Sequence, residues 1–210
     1  MNHWQESAEL LARLSGSDAG EPAALATVVR VVGSAYRRPG AKLLVTGDGG
    51  NLGSVSGGCL EADVREVAQR VMESGTARLL HYDTSAGEEE VFGLGMGCRG
   101  RVEVLVQPVD VALRALLPRW RDLLAGDARF AVLTVAGGAG SLGTTALVAP
   151  DGTLHGSLGA TLDPLAAGRA GSWLAAGRSG CEELGGHMVF VEALPPPRHL
   201  LICGAGDDAV

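Results

Sequence analysis

Aromatic residues are scarce in the 210-residue chain, at 4%, so a nucleic-acid platform built of stacked rings is under-supplied. Positive charge is also short: 17 Lys and Arg stand against 24 Asp and Glu, a net charge of -7 with no basic block. A protein relying on long-range attraction to phosphate is thereby excluded, and neither DNA nor RNA is an expected partner. Long apolar runs are missing. The opening segment MNHWQESAELLARLSG is charged throughout and never reaches signal-peptide character, and no later window is long enough without charge to span a bilayer. A cytoplasmic location is expected. The four cysteines, 59, 98, 181 and 203, contain no C-x-x-C pair, so zinc ribbons and thioredoxin-type motifs are absent and free thiols are the default in a reducing compartment. The five histidines, 3, 81, 155, 187 and 199, include no helical i, i+4 pair, which leaves no local signature for a metal cage.

What is present is apolar bulk and glycine. At 46% hydrophobic and 20% charged residues, the chain can bury one large or two small cores. Its 32 glycines are roughly twice the ordinary usage. Trp4, Ala8, Leu11 and Leu14 recur at helical spacing, predicting a helix over 2–15. AALATVVRVV (23–32) reads as a buried strand, and after the loop GSAYRRPG a hairpin follows, built from AKLLVT, the turn GDGG and NLGSVS. A helix over 59–74 stops at Gly75. Strands are expected at 76–83 and 101–109, an acidic glycine-containing loop between them, and a helix at 110–125 that Pro118 should kink or split. The fold class these elements predict is α/β, with α+β as the alternative: a mixed sheet with flanking helices.

The chain also resembles itself. Leu25–Val55 matches Val132–Leu158, with Val45/Val148, Asp48/Asp151, Gly49/Gly152, Gly53/Gly156 and Ser54/Ser157 keeping nearly one offset. Two similar strand-hairpin-helix halves are expected, about 24–75 and 131–178, within one domain over 1–194; chance similarity of two D-G hairpins is the alternative. The second copy lacks Tyr36, Arg37, Arg38 and Pro39 and has LGAT in place of SGGC, so the scaffold is duplicated and the chemistry is not. A stiff proline linker (195–198) precedes the strand HLLIC and Gly204-x-Gly206-x-x-Ala209, which have the strand-turn context of a dinucleotide fingerprint. Residues 199–210 read as the start of a truncated Rossmann domain. With no following helix or acidic residue, no dinucleotide is expected there, and the strand at 199–203 is not expected to be stable alone.

Ser56-Gly57-Gly58-Cys59 lies between a strand and a helix, where amides freed by glycine attract anions and a thiol meets the positive end of the helix. The competing reading is a structural cysteine beside a tight turn. Gly95, Gly97 and Cys98 form a second glycine-rich loop, GLGMGC, whose G-x-G-x-x-G spacing runs into a strand and is a decoy as a nucleotide fingerprint. Two cysteines on two such loops suggest one open site, with Cys59 the more reactive thiol and Gly58 needed for ligand approach. Arg37 and Arg38 come from a third loop and suit a phosphate, although singly each also reads as a solvated surface arginine. Glu88, Glu89 and Glu90 read as a solvated acidic run, and Cys181 and Cys203 as structural.

The run GSAYRRPGAKLLVTGDGGNLGSVSGGCLEADV, followed by VFGLGMGCRGRVEVLVQP, closely resembles the amino-terminal domain of the XdhC/CoxI family, the accessory proteins of xanthine dehydrogenase and related molybdenum hydroxylases. The resemblance covers residues about 10–109. It implies a non-catalytic chaperone that binds molybdenum cofactor, protects it during sulfuration by a cysteine desulfurase and delivers it to the apo-hydroxylase. Carried over by motif, the cofactor-binding residues are Gly57, Gly58, Cys59, Gly95, Gly97 and Cys98, joined by Arg37 and Arg38, with Cys59 a contact to molybdenum or its sulfur. A homodimer is a further arrangement to consider. The alternative function is the thiol half of a nucleotide-binding oxidoreductase, in which Cys59 and Cys98 would cycle between dithiol and disulfide.

Overall fold

The computed structural model describes residues 3–16, 21–83, 100–138 and 141–196. Glycine 95, Gly97, Cys98, the acidic run 88–90 and the segment 199–210 with Cys203 lie outside them, and so do the expectations attached to those residues. Fourteen elements follow one another: α1 (His3–Gly16), β1 (Ala23–Gly33), β2 (Lys42–Thr46), β3 (Asn51–Gly53), α2 (Glu61–Ser74), β4 (Arg78–Asp83), β5 (Gly100–Pro108), α3 (Val111–Ala125), β6 (Phe130–Gly137), β7 (Thr145–Val148), β8 (Leu154–Gly156), α4 (Leu162–Ala176), β9 (Gly180–Leu184) and β10 (His187–Leu194). The order α-β-β-β-α-β-β occurs twice.

Each half builds one five-stranded sheet, ordered β3-β2-β1-β5-β4 in sheet A and β8-β7-β6-β10-β9 in sheet B. The protein is therefore mixed α/β as expected, but every strand pairing is antiparallel, where a single mixed sheet was the expectation. The reason lies in the crossovers. The helix after the hairpin carries the chain from one edge of its sheet to the other, so the strands it joins never pair; hairpins make the outer contacts antiparallel, and the central pairs β1–β5 and β6–β10 are antiparallel because the crossover returns the next strand in the direction of the one it left.

Strand alternation fixes the layers. Ala24, Ala26, Val28, Leu43, Val45, Val104 and Val106 point to one side of sheet A and pack on Val64, Ala68 and Val71 of α2. Ala131, Leu133, Val135, Ala146, Val148, Val189 and Val191 likewise pack on Ala166, Ala170 and Trp173 of α4. The other faces turn toward each other: Leu25, Leu44, Val132, Leu147 and Leu194 share a core with Trp4 and Leu11 of α1 and Leu117 and Trp120 of α3, while Val29, Leu105, Ala136 and Phe190 close the sheet-to-sheet contact.

That inner layer is not wholly apolar. Lys42 and Glu192, 4% and 1% exposed, form an ion pair across the two sheets, Nζ lying 2.6 Å from Oε2. Gln107 Nε2 donates to Thr145 Oγ1 at 3.1 Å. The two contacts are reciprocal. Lys42 faces Thr27 in sheet A as Thr145 faces Thr134 in sheet B, and Gln107 faces Leu25 as Glu192 faces Val132.

Proline 118 neither splits nor ends α3, which runs unbroken from Val111 to Ala125. It sits on the exposed side of the helix, where water can take up the carbonyl left without a donor. Leu113, Leu116, Leu117, Trp120, Leu123 and Leu124 are buried on both sides of it, so packing overrides the local preference. Asp110 caps the helix by accepting from the Leu113 N–H at 2.8 Å.

Candidate functional site

Register places two described loops at one end of sheet A. Loop 34–41 leaves the end of β1 and enters β2 at Lys42, opposite Thr27. Loop 54–60 leaves β3 at Gly53, which lies opposite Leu43 at that same end. Gly33, the last residue of β1, pairs with Gly100, the first of β5, and Asp83, the last of β4, pairs with Arg101, so β4 ends and β5 begins at this end too. That end of the β4-β5 pair is fastened twice. Arg101 Nε donates to Asp83 Oδ2 at 2.9 Å, and the Tyr82 hydroxyl donates to Asp63 of α2. Burial first, then the neighbouring Asp63 carboxylate, pushes the Tyr82 phenol well above its ordinary range and keeps it a donor.

The described loops touch. A Cβ on Gly57 would lie 3.3 Å from Cγ of Tyr36, so the tyrosine ring rests on the glycine while remaining 73% exposed itself. A Cβ on Gly100 would lie 2.8 Å from the Ser34 carbonyl oxygen, which holds loop 34–41 against the root of β5. Gly58 has φ +112 and open space where a side chain would go. Its glycine is thus demanded by the backbone conformation.

The loop 54–60 is organised by Glu61. Its carboxylate accepts from Ser56 N–H at 2.8 Å, Val55 N–H at 3.2 Å and Ser54 Oγ at 3.1 Å, and from the Ser56 hydroxyl. Burial pushes the Glu61 carboxyl up, but the hydrogen bonds, those from Ser56 foremost, outweigh it and hold the group below its ordinary range. Ser56 Oγ in turn accepts from Gly58 and Leu60 N–H, both at 3.1 Å. Those two amides, expected to be open to an anion, are occupied from within the loop.

The second half keeps the chassis and drops the rest. Asp163 Oδ1 accepts from Leu158 N–H and Oδ2 from Ser157 Oγ, both at 2.6 Å, as Glu61 does from Val55 and Ser54. Between these anchors the first half has Ser56-Gly57-Gly58-Cys59 where the second has the shorter Gly159-Ala160-Thr161. The loop before β7 is also shorter, and a cleft of about 360 Å³ lined by Gln107, Asp110, Leu116, Thr144 and Ser157 opens beside it.

Helix α2 begins at Glu61 with Leu60 as its N-cap, so Cys59 precedes the helix and does not lie in its first turn. It is a free, exposed thiol. Cys181 is half-buried, donates to the Val29 carbonyl at 3.3 Å, and is pushed up to about 11 by burial, then by Glu103. Arg37 is drawn inward to Glu6 of α1, a carboxylate only 7% exposed in its side chain. A buried carboxylate needs such a partner, and this engagement makes Arg37 part of the scaffold and leaves the exposed Arg38 as the surface cation of this loop. No group of three or more His, Cys, Asp or Glu poised for a metal occurs among the described residues, and no helix there is long and apolar enough to cross a membrane. The sequence pointed to Gly57, Gly58 and Cys59, named Tyr36, Ser54 and Ser56 without giving them a part of their own, and missed Glu61. The Ser54/Ser157 match in the repeat is the signal that could have led to the carboxylates they bind, Glu61 and Asp163.

Comparison with known proteins finds a family model over the site-bearing segment. The XdhC and CoxI family model fits residues 17–83. The chain is 35% identical over 116 residues to a probable xanthine dehydrogenase subunit of Bacillus subtilis, covering 55% of this chain and 35% of that protein. It is 42% identical over 102 residues to the molybdenum cofactor insertion chaperone PaoD of Escherichia coli, covering 48% of this chain and 31% of that protein. The crystal structure described as a xanthine dehydrogenase from Bacillus halodurans superposes with a TM-score of 0.69 at 32% identity, over 93% of this chain and 53% of that one. The chain spans about a third of the length of these curated relatives. Through the segment that carries loops 34–41 and 54–60, it is similar to the XdhC and CoxI family.

Proposed function

We propose that the chain binds molybdenum cofactor as cargo at the loop-bearing end of sheet A and serves its insertion into an apo molybdenum hydroxylase, with a cysteine desulfurase acting on the cargo while it is held. The observation that carries this reading is the exposed Cys59 thiol on a glycine loop beside Tyr36. A thiol is the soft ligand that a molybdenum-sulfur centre favours, and the open space at Gly58 admits a bulky group. Arg38 is the cation left for the cargo's phosphate. Support also comes from the likeness to PaoD, named a molybdenum cofactor insertion chaperone.

The residues divide the work. Cys59 contacts the metal centre, Gly57 and Gly58 keep its surroundings clear, Tyr36 offers a ring face, and Glu61 with Ser54 and Ser56 holds the loop in shape. Gly95, Gly97 and Cys98 complete the site in this reading. The cargo supplies its own redox-active metal, and the chain's part is retention without turnover. Incubation with molybdenum cofactor released from a hydroxylase, followed by gel filtration and assay of pterin and molybdenum, tests this. Wild type and Cys181→Ala should retain both in equal amount, and Cys59→Ala should bind about tenfold more weakly, the equivalent of about 1.4 kcal/mol. A wild-type chain that emerges free of pterin, or a Cys59→Ala variant that retains as much as wild type, refutes it. Turnover with a disulfide forming between Cys59 and Cys98 would instead mark a redox enzyme.

A further inference from the structure

Lysine 42 is the first residue of β2, where loop 34–41 ends. Its ammonium donates to the Gly40 carbonyl at 3.0 Å and to both oxygens of Glu192 on the opposite sheet. Its own carbonyl accepts from the Ser54 N–H at 2.8 Å, the first bond of loop 54–60. One residue thus touches both described site loops and the other half of the protein. The partner half repeats the arrangement in neutral form: Thr145 Oγ1 donates to the Gly143 carbonyl at 3.1 Å and accepts from Gln107.

We propose that Lys42 is a positioning residue for the candidate site, and that its side-chain bridge from Gly40 to Glu192 is what holds loop 34–41, and through the Lys42 carbonyl the start of loop 54–60, in place. A buried ion pair is a poor device for stability alone, since apolar residues of like volume commonly do as well or better. The neutral pair at 107 and 145 joins the same two sheets without charge. What the position supplies in both halves is a donor that reaches back to the carbonyl two residues earlier, and in the first half the loop so held is the one that carries Tyr36 and Arg38. Charged donors make the stronger bonds, which suits a loop that must keep its shape against a ligand.

This inference rests on reading the end of sheet A as the site, and its test runs without any ligand. Lys42→Met with Glu192→Leu removes the bridge and fills its volume. Lys42→Gln with Glu192→Gln keeps a neutral bridge. Amide hydrogen exchange is followed at Gly40, Ala41 and 54–56, with thermal melting for the whole protein. The first variant should melt close to wild type while those amides exchange about tenfold faster, the loss of roughly one hydrogen bond; the second should exchange more slowly than the first. Unchanged exchange in a folded Lys42→Met/Glu192→Leu protein overturns the proposal, as do two variants that exchange alike. Failure of both variants to fold overturns it too, because the pair would then be a foundation of the fold and no more. Cofactor retention is measured beside it on the wild type, whose failure to bind sinks the functional reading and leaves the exchange result standing.

Discussion

Replacing Glu61 by alanine isolates what the first-turn carboxylate does, because Asp163 offers a matched control. Glu61 receives two main-chain N–H groups and two hydroxyls, whereas Asp163 receives one of each. Removing such a capping acceptor costs about 0.5–2 kcal/mol, and the doubled set at Glu61 places it at the upper end, near 2 kcal/mol, with Asp163→Ala near 1 kcal/mol. For a protein of this size that is a fall in melting temperature of about 4–8 °C and about 2–4 °C respectively. Only Glu61→Ala should affect the site. Cys59 alkylation, read by mass spectrometry of its peptide, should accelerate about threefold as the loop that carries it loses its anchor, a change of under about 1 kcal/mol. The pH dependence has a definite sign. The carboxyl of Glu61 is held below its ordinary value of 4.5 by its donors, so its contribution is complete above the unfolded value and lost as pH falls through the lower folded one. Glu61→Gln should therefore flatten the acid side of the stability curve. Equal acceleration of Cys59 by Asp163→Ala, or a melting shift under about 1 °C for Glu61→Ala, would refute the reasoning.

Gly53→Ala should be among the most damaging single changes in the first half, by about 2 kcal/mol or more in denaturant titration, because at φ +88 its Cβ would stand 2.3 Å from the Lys42 carbonyl oxygen. Gly58→Ala, which meets no atom, should lose only the backbone term, about 1 kcal/mol; equal losses at the two positions would contradict this. At pH 8 iodoacetamide should modify the exposed Cys59 well before Cys181, whose thiol is pushed up to about 11 by burial and by Glu103, and comparable rates would show that Cys181 is not held as described. Tyr36→Ala should leave the melting temperature within about 1 °C, the side chain being 73% exposed, yet weaken cofactor retention; unchanged retention removes the ring from the site.

Much of the fold was legible where local chemistry and tertiary packing agree. The D-G turns marked both hairpins, and Gly75, with φ +65, ended α2 where a left-handed residue was needed. The repeat was read as far as the helix after each hairpin, yet the structure carries it through His187–Leu194, the counterpart of Gly100–Pro108. Those strands share apolar alternation and few identical residues, which hides them from a comparison by letters. At the site, glycine and cysteine stood out because their chemistry is local. The hold of Glu61 on Ser54 did not, since six residues of loop separate them and no helix-cap spacing joins them. Nor could the sequence show that Arg37 turns inward to Glu6, because a buried carboxylate on α1 announces itself only once α1 is docked.

The reciprocal contacts between the sheets have a consequence for what such a protein can become. Two identical protomers meeting about a two-fold axis must present the same residues at both symmetry-related contacts, so a lysine meeting glutamate on one side would meet it on the other, and every loop would appear twice. Joining the two copies in one chain lifts that obligation. Here one contact is an ion pair and its mate a neutral amide-hydroxyl bond, and one copy has a long loop with Tyr36 and Arg38 where the other has a cleft. In a single chain the interface between the copies is asymmetric, and each copy is free to differ where two identical protomers could not.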